Sequence, residues 1–399
     1  MGLYPAAVID EKGAQFLRRG QLWMYRNNLL RTDGNIKDGE PAEIIAESGE
    51  YLGTGFYSAC SHVAVRIFTK NRNETADEEL FAQRIRSAWE FRKTTNRQNL
   101  SACRLIFSEA DGLPGLICDR YNDILVTQIT ITAMEKRKDI LFRILTDVLA
   151  EDGVHIRGIF ERNDIAAREK EGLEQYKGFY GENTSETETV IEENGLKLYV
   201  DFENGQKTGY FLDQKNNRLL IRNIAEGKRV LDCFTHTGGF ALNAALGSAA
   251  YTEAVDISAS ALKEAQRNAD LNGLSGRMKF VKADVFDYLD GLKPHAFDLI
   301  ILDPPAFTKS RKTVMSAYNG YKRINMRAME LLKGGGYLAT CSCSRYMETE
   351  LFEKMLREAS AEADVTLKQI SVTQQNSDHP ILWTMDETSY LKFYIFQII

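Results

Sequence analysis

The rhythm of apolar and polar positions changes along the chain. Up to about residue 70, β-type runs such as Ala42–Ala46 (AEIIA) and His62–Phe68 (HVAVRIF) alternate with turns at Gly20, Gly34, Gly39, Gly49, Gly53 and Gly55. Short strands between glycine turns predict a compact β-barrel. From Thr75 to Asn99 the period becomes helical. Leu80, Ile85 and Trp89 mark one face, and Asp77, Glu78 and Glu79 favour the helix start electrostatically. Residues 101–190 mix strands at 124–132 and 158–161 with a helix at 136–150. This is a small α+β unit, whose Asp111–Gly115 turn (DGLPG) sets a proline between two glycines. The polar stretch 181–188 reads as a linker.

Beyond residue 191 strands and helices alternate regularly. Strands are predicted at 228–234, 251–257, 278–283, 297–302 and 337–341, helices at 239–246, 260–272 and 321–332, and a closing strand at 390–399. Near-continuous apolar strands such as Phe297–Leu302 (FDLIIL) belong in a sheet covered on both faces. The pattern predicts a doubly wound, mostly parallel α/β sheet. Ligands of such sheets sit beyond the carboxyl ends of the strands, so the loops there are the place to look for chemistry.

Each of those loops carries candidate residues. Glycines in Asp232–Phe240 (DCFTHTGGF) let a ligand approach the backbone at a helix start, although the order is not the GxGxxG of dinucleotide folds. Asp256 ends the second strand, where a carboxylate can accept from two ribose hydroxyls. Asp284 ends the third, in Ala283-Asp284-Val285-Phe286; an acceptor there suits an adenine amino group, and an apolar neighbour could cover the ring. Either aspartate alone could be a helix N-cap, but acidic or glycine-rich ends on successive strands exceed what capping explains. The fourth strand runs into Leu302–Phe307 (LDPPAF), where paired prolines hold Asp303 in a rigid extended turn. The fifth ends in Ala339–Met347 (ATCSCSRYM), which brings Cys341 and Cys343 to the same edge as Asp303. Most free cysteines are small buried hydrophobes, whereas a thiolate beside Arg, Lys or a helix N-terminus becomes a nucleophile.

Charge and composition narrow the field. A formal net charge of -6 excludes a protein that coats nucleic acid through bulk positive charge, but not one with local basic faces. Residues 81–104 hold six basic side chains against one acidic, and residues 307–333 hold seven against one. The first segment reads either as a solvated helix face or as a nucleic-acid-contacting one; the second, bordering the strand-end loops, suits phosphate contacts, with some of its charges ordinary helix surface. No apolar stretch approaches the roughly 18 residues that span a bilayer, and the start lacks the pattern of a secretory signal. The six cysteines show neither zinc-site nor disulfide-framework spacing. A cytoplasmic protein with reduced thiols, no metal and no membrane partner is therefore expected.

The strand-end residues, taken with other segments, resemble a known family. Asp232–Phe240, Asp256, Asp284, Asp303-Pro-Pro and Cys341–Ser344 (CSCS) resemble the class I S-adenosylmethionine-dependent RNA methyltransferases. More narrowly, the chain resembles the bacterial 23S ribosomal-RNA 5-methylcytosine methyltransferases with an N-terminal PUA domain. Arg18–Leu29 and Tyr51–Phe68 are similar to that family's PUA segment, and Ser108–Tyr121 to its central domain. Asn204–Arg218 (NGQKTGYFLDQKNNR) is similar to the lead into its catalytic domain, and Ser377–Pro380 (SDHP) to a motif near its end.

The resemblance implies a PUA-like RNA-binding β-barrel (1–73), a basic helix with a central α+β domain (74–190), and a Rossmann-like methyltransferase domain (191–399). It implies S-adenosylmethionine as cofactor, held by Phe211, Asp232, Phe234, Thr235, Gly238, Gly239, Asp256, Ile257, Asp284, Val285 and Asp303. It further implies Cys343 and Asp303 as the catalytic residues: the thiolate adds to C6 of an unpaired cytosine and raises electron density at C5, while Asp303 holds the base near N3. The implied partner is 23S ribosomal RNA in a protein-poor or assembling large subunit, and homodimers are common in the family. Other subgroups carry a second cysteine directly after Asp-Pro-Pro, where this chain has Ala306. Cys343 is assigned as nucleophile from its Ser342–Ser344 setting, with Cys341 in reserve. The stretch DPPAFTKSRK is also similar to ribosomal-RNA 7-methylguanine methyltransferase domains, which makes that activity the alternative, followed by a non-catalytic RNA-binding ribosome-assembly factor. His236 and His379 are read as structural or cofactor-pocket residues.

Overall fold

The computed structural model describes residues 2–181, 186–308 and 310–399; residues 182–185 of the expected linker, and Lys309, lie outside the described residues. The chain divides into two compact units: Met1–Ile191 with Val200–Leu212 and Ser377–Thr388, and Glu192–Tyr199 with Asp213–Asn376 and Ser389–Ile399.

The first unit opens with β1 (Ala6–Ile9), α1 (Glu11–Arg18), β2 (Trp23–Tyr25), β3 (Leu29–Asp33), β4 (Pro41–Ala46), β5 (Tyr51–Tyr57) and β6 (Val63–Thr69). These strands form one six-stranded sheet in the order β2-β6-β5-β4-β1-β3, around a core of Ile9, Leu17, Ile44, Val65 and Ile67. Next comes α2 (Glu78–Thr95), started by Asp77, whose carboxylate accepts from Leu80 N at 3.0 Å. A second sheet, in the order β11-β10-β9-β8-β7, is built from β7 (Ala102–Phe107), β8 (Leu116–Tyr121), β9 (Ile124–Ile129), β10 (Gly158–Arg162) and β11 (Lys177–Phe179). Between β9 and β10 lie the short α3 (Thr132–Glu135) and α4 (Lys138–Glu151). Leu141, Leu145 and Leu149 of α4 join Ile85 and Trp89 of α2 and Leu125 of β9 in a single apolar cluster.

Charges inside this unit correct one expectation. Arg92 is fully buried on α2, and its guanidinium reaches both carboxylate oxygens of Asp111 at 2.5 and 2.8 Å. Arg104 forks onto buried Asp119 with two bonds of 2.8 Å. Arg84, Arg86 and Lys93 also have acidic partners, in Glu74, Glu151 and Asp152. Of the basic residues in segment 81–104, only exposed Arg97 lacks an ion pair among the described residues. The segment is a charge-neutralised packing element, because its acidic partners lie elsewhere in the sequence.

A two-stranded sheet of β12 (Glu188–Glu193) and β13 (Leu196–Asp201) precedes the second unit's main sheet. There the elements run α5 (Lys215–Ile224), β14 (Arg229–Cys233), α6 (Gly239–Leu246), β15 (Tyr251–Asp256), α7 (Ala259–Leu271), β16 (Met278–Lys282), α8 (Val285–Gly291) and β17 (Leu299–Leu302). They continue with α9 (Val314–Leu332), β18 (Tyr337–Ser342), α10 (Thr349–Glu362), β19 (Leu367–Thr373) and β20 (Lys392–Ile398). The seven-stranded order is β16-β15-β14-β17-β18-β20-β19; the first five strands are parallel, and β20 is antiparallel to both neighbours. The strand order reverses beside β14, which opens a crevice at the carboxyl edge.

The expected α/β architecture is present, with one element misjudged. Helix α9 begins at Val314, not at Tyr321. Gly320 sits inside the helix, where a Cβ would lie 3.3 Å from the Phe307 ring, so glycine makes room for that aromatic side chain.

Candidate active site

Five parallel strands deliver their last residues to one edge of the second unit. Asp232, near the end of β14, is fully buried; its Oδ2 accepts from Thr235 Oγ1 at 2.5 Å and Ala241 N at 2.9 Å. Burial pushes its carboxyl pKa up to about 7, against those two bonds, and Asp303 and Asp256 add like-charge repulsion. The other oxygen, Oδ1, is buried with no hydrogen-bond partner among the described residues. The turn between them is tight: Phe234 and His236 have left-handed φ of 61° and 51°, and Gly238 has φ 85°. Backbone held in such conformations is characteristic of ligand clamps.

Asp256 is oriented by His236 N on Oδ2 at 2.9 Å and Ser258 N on Oδ1 at 2.8 Å. Each oxygen keeps a second lone pair. Next to it, Ile257 is 67% exposed, an apolar side chain left uncovered at the strand end. Asp284 is exposed and caps α8 through Oδ1, which accepts from Phe286 N at 2.8 Å. The side chain of Val285, the next residue, is buried in the apolar core. Gly239 and Thr235 are buried in the turn, with Thr235 serving Asp232. Phe211 belongs to the first unit, where the Lys207 ammonium lies 4.4 Å from its ring centroid. His379 is likewise a buried residue of the first unit, its Nδ1 2.7 Å from Asp378 Oδ1.

The remaining strand ends meet around Asp303. Its Oδ1 accepts from Cys341 Sγ at 2.7 Å, and its Oδ2 from Gln214 Nε2 at 3.2 Å. Cys341 is fully buried, and burial followed by the Asp303 charge pushes its thiol well above the ordinary value. Cys343 is only partly buried. The turn that carries it is held by Ser344 Oγ donating to Thr308 O at 3.0 Å and by Lys392 Nζ donating to Ser344 O at 2.8 Å. Ser342 Oγ donates to Tyr321 OH at 3.1 Å, and the Tyr321 ring packs against Phe307 at 4.6 Å.

Sequence reasoning missed Gln214, Tyr321 and Lys392. Gln214 lies in the quoted Asn204–Arg218 segment and was available to it. The second basic segment is also less basic than its sequence: Lys322, Arg323, Arg327 and Lys333 pair with Glu362, Asp290, Glu330 and Asp364. Exposed Arg311 and Lys312 make no ion pair among the described residues. Those residues include no cluster that could hold a metal ion, and no helix long and apolar enough to cross a membrane.

These features suit S-adenosylmethionine. The orphaned Asp232 Oδ1 offers an acceptor to a cationic or N–H donor group, oriented Asp256 suits a ribose diol, and exposed Ile257 offers an apolar surface to a base. Residues 176–396 match the S-adenosylmethionine-dependent methyltransferase family, and residues 8–70 match the PUA-like domain family. A solved structure described as a methyltransferase complexed with SAH shares the fold, with a TM-score of 0.83 and 22% identity over 98% of this chain and 99% of that one. The protein is thus an enzyme of the S-adenosylmethionine-dependent methyltransferase class with an N-terminal PUA-like domain.

Full-length relatives narrow the class. Ribosomal RNA large subunit methyltransferase I of Aeromonas hydrophila is 41% identical over 97% of this chain and 98% of its own length. The protein of that name from Klebsiella pneumoniae is 37% identical over 98% and 97%. The chain belongs to the ribosomal RNA large subunit methyltransferase I family.

Proposed function

We propose that the enzyme methylates C5 of a cytosine in 23S ribosomal RNA, with Cys343 as nucleophile and Asp303 as the group that holds the base. The observation that carries this reading is the strand-end constellation of Asp303, Cys341 and Cys343. Cys341 is spent on Asp303 and fully buried, whereas Cys343, two residues on, is partly open. Cytosine C5 is a poor nucleophile. Addition of the Cys343 thiolate to C6 makes it a better one, and loss of the C5 proton then allows the thiolate to leave. When bound, S-adenosylmethionine supplies the electrophilic methyl group. Asp303, fixed by Cys341 and Gln214, keeps acceptor capacity for the base edge near N3. Asp232, Phe234, Thr235, Gly238, Gly239, Asp256, Ile257 and Asp284 would hold the cofactor, Val285 through its backbone.

The target base must be unpaired or turned out of its helix. We retain as part of the proposal a division into RNA-binding (1–73), central (74–190) and catalytic (191–399) domains. A protein-poor large-subunit RNA as substrate, a cytoplasmic location and a homodimer complete the reading, supported by the family resemblance. Labelled S-adenosylmethionine and unmodified large-subunit RNA test it. Wild type is expected to yield 5-methylcytosine, and Cys343→Ala to lose transfer by about 1,000-fold or more. Full activity in that variant refutes the nucleophile, and a 7-methylguanine product replaces the base assignment.

A further inference from the structure

A buried cation behind the Cys343 turn has no part in the reaction as written above. Lys392 is the first residue of β20 and stands opposite Ser342 in the antiparallel register with β18, so the two side chains share a face of the sheet. It is 6% exposed. Its ammonium donates to the carbonyl of Ser344 at 2.8 Å, and among the described residues no carboxylate pairs with it. A lysine removed from water with no carboxylate bonded to it is costly, and such groups concentrate where chemistry requires them. The carbonyl that binds it belongs to the residue directly after Cys343.

We propose that Lys392 is a positioning residue for Cys343: its ammonium, fixed against the Ser344 carbonyl, supplies the positive charge that holds the Cys343 sulfur as thiolate. The inference rests on the reading of Cys343 as nucleophile. In this step the Cys343 S–H bond breaks, the proton passes to solvent, and the ammonium keeps its own protons. A cation beside a thiol lowers the thiol pKa.

The surrounding groups agree with that direction. Burial lowers the Lys392 pKa to about 8, and Cys343, Cys341 and Glu348 act in the opposite sense, so the ammonium persists at neutral pH. Across the turn, on α9, burial pushes the Tyr321 phenol above its ordinary value and keeps it neutral. Asp303 is engaged with the Cys341 thiol. Of the two strand-end thiols, Cys341 is turned to a carboxylate that disfavours its ionisation, and Cys343 directly precedes the residue whose carbonyl binds the ammonium.

The test measures the thiol directly in the full-length chain. Iodoacetamide alkylation of Cys343, resolved by peptide mass spectrometry, is followed from about pH 6 to about pH 10, a range that brackets an ordinary thiol near 8.5. Exposed Cys60 in the same digest is the internal control. Lys392→Met is expected to move the Cys343 midpoint up by about one pH unit, a roughly 10-fold slower reaction at neutral pH, and to leave Cys60 unchanged. Lys392→Gln keeps a donor for the Ser344 carbonyl without the charge; it should shift the midpoint as Met does, and Lys392→Arg should restore it. A Cys343 midpoint that is the same in wild type and in folded Lys392→Gln overturns the proposal. Full methyl transfer by Cys343→Ala would overturn the nucleophile assignment instead, and the alkylation shift would still report the ammonium–thiolate pair.

Discussion

The carboxylates of Asp111 and Asp119 in the first unit and of Asp232 in the second are held in opposite ways. In the first, Asp111 and Asp119 each receive a two-pronged arginine, and Thr208 Oγ1 adds a 2.5 Å bond to Asp119. In the second, Asp232 has a hydroxyl and an amide on one oxygen and nothing on the other, and no cation neutralises it among the described residues. The first arrangement is complete without a ligand. The second is left short of a partner, as a binding site must be, and burial raises its pKa.

Substitutions should separate the two kinds of site. The largest loss of stability is expected in the first unit. Arg104→Met strands the buried Asp119 charge and should cost about 3–5 kcal/mol in urea unfolding, whereas replacing both partners by apolar residues should recover most of it. Equal stability of the single and double variants would break the distinction.

Next comes a pH effect at Asp232. Its folded pKa of about 7 lies above the ordinary 3.8, so the folded state holds the proton more tightly. This group therefore makes folding less favourable as pH rises from about 4 to about 7, and the penalty is constant above that. The full amount is on the order of 4 kcal/mol. Asp232→Asn should remove this slope from unfolding of the cofactor-free protein, and S-adenosylhomocysteine should bind the variant more weakly. Wild type that shows the same slope as the variant would place the carboxylate in a wetter site. The smallest effect belongs to the surface: Arg86→Ala removes an exposed pair with Glu151 and should leave the melting midpoint unchanged within error.

The strand ends were legible because a βα repeat fixes where each strand stops, and Asp256, Asp303 and Cys343 sit at those stops. Charge was not legible. Counting along the chain made residues 81–104 look basic, but Asp111 and Asp119 reach Arg92 and Arg104 through folding that no local count records. The place of Val285 was not legible for a similar reason: an apolar residue beside Asp284 suits a pocket and a core equally well, and only packing decides. Lys392 was hidden inside a β-rich closing segment, where it read as one polar position among apolar ones. Its importance depends on register with β18, a long-range property.

The segment Ser377–Thr388 belongs to the first unit although almost all of the second unit precedes it in the sequence. Asp378 gives its carbonyl to Arg92 at 2.9 Å and a carboxylate oxygen to the Arg104 amide at 3.1 Å, across separations of 286 and 274 residues. During synthesis these bonds cannot form until nearly the last residues have emerged. The buried arginines of the first unit must therefore wait, with their packing unfinished, while the second unit is translated. Closing so long a loop places the completion of the first unit among the late events of folding. A chain truncated before residue 377 would lack these contacts permanently, and the defect would lie in the unit farthest from the cut in sequence.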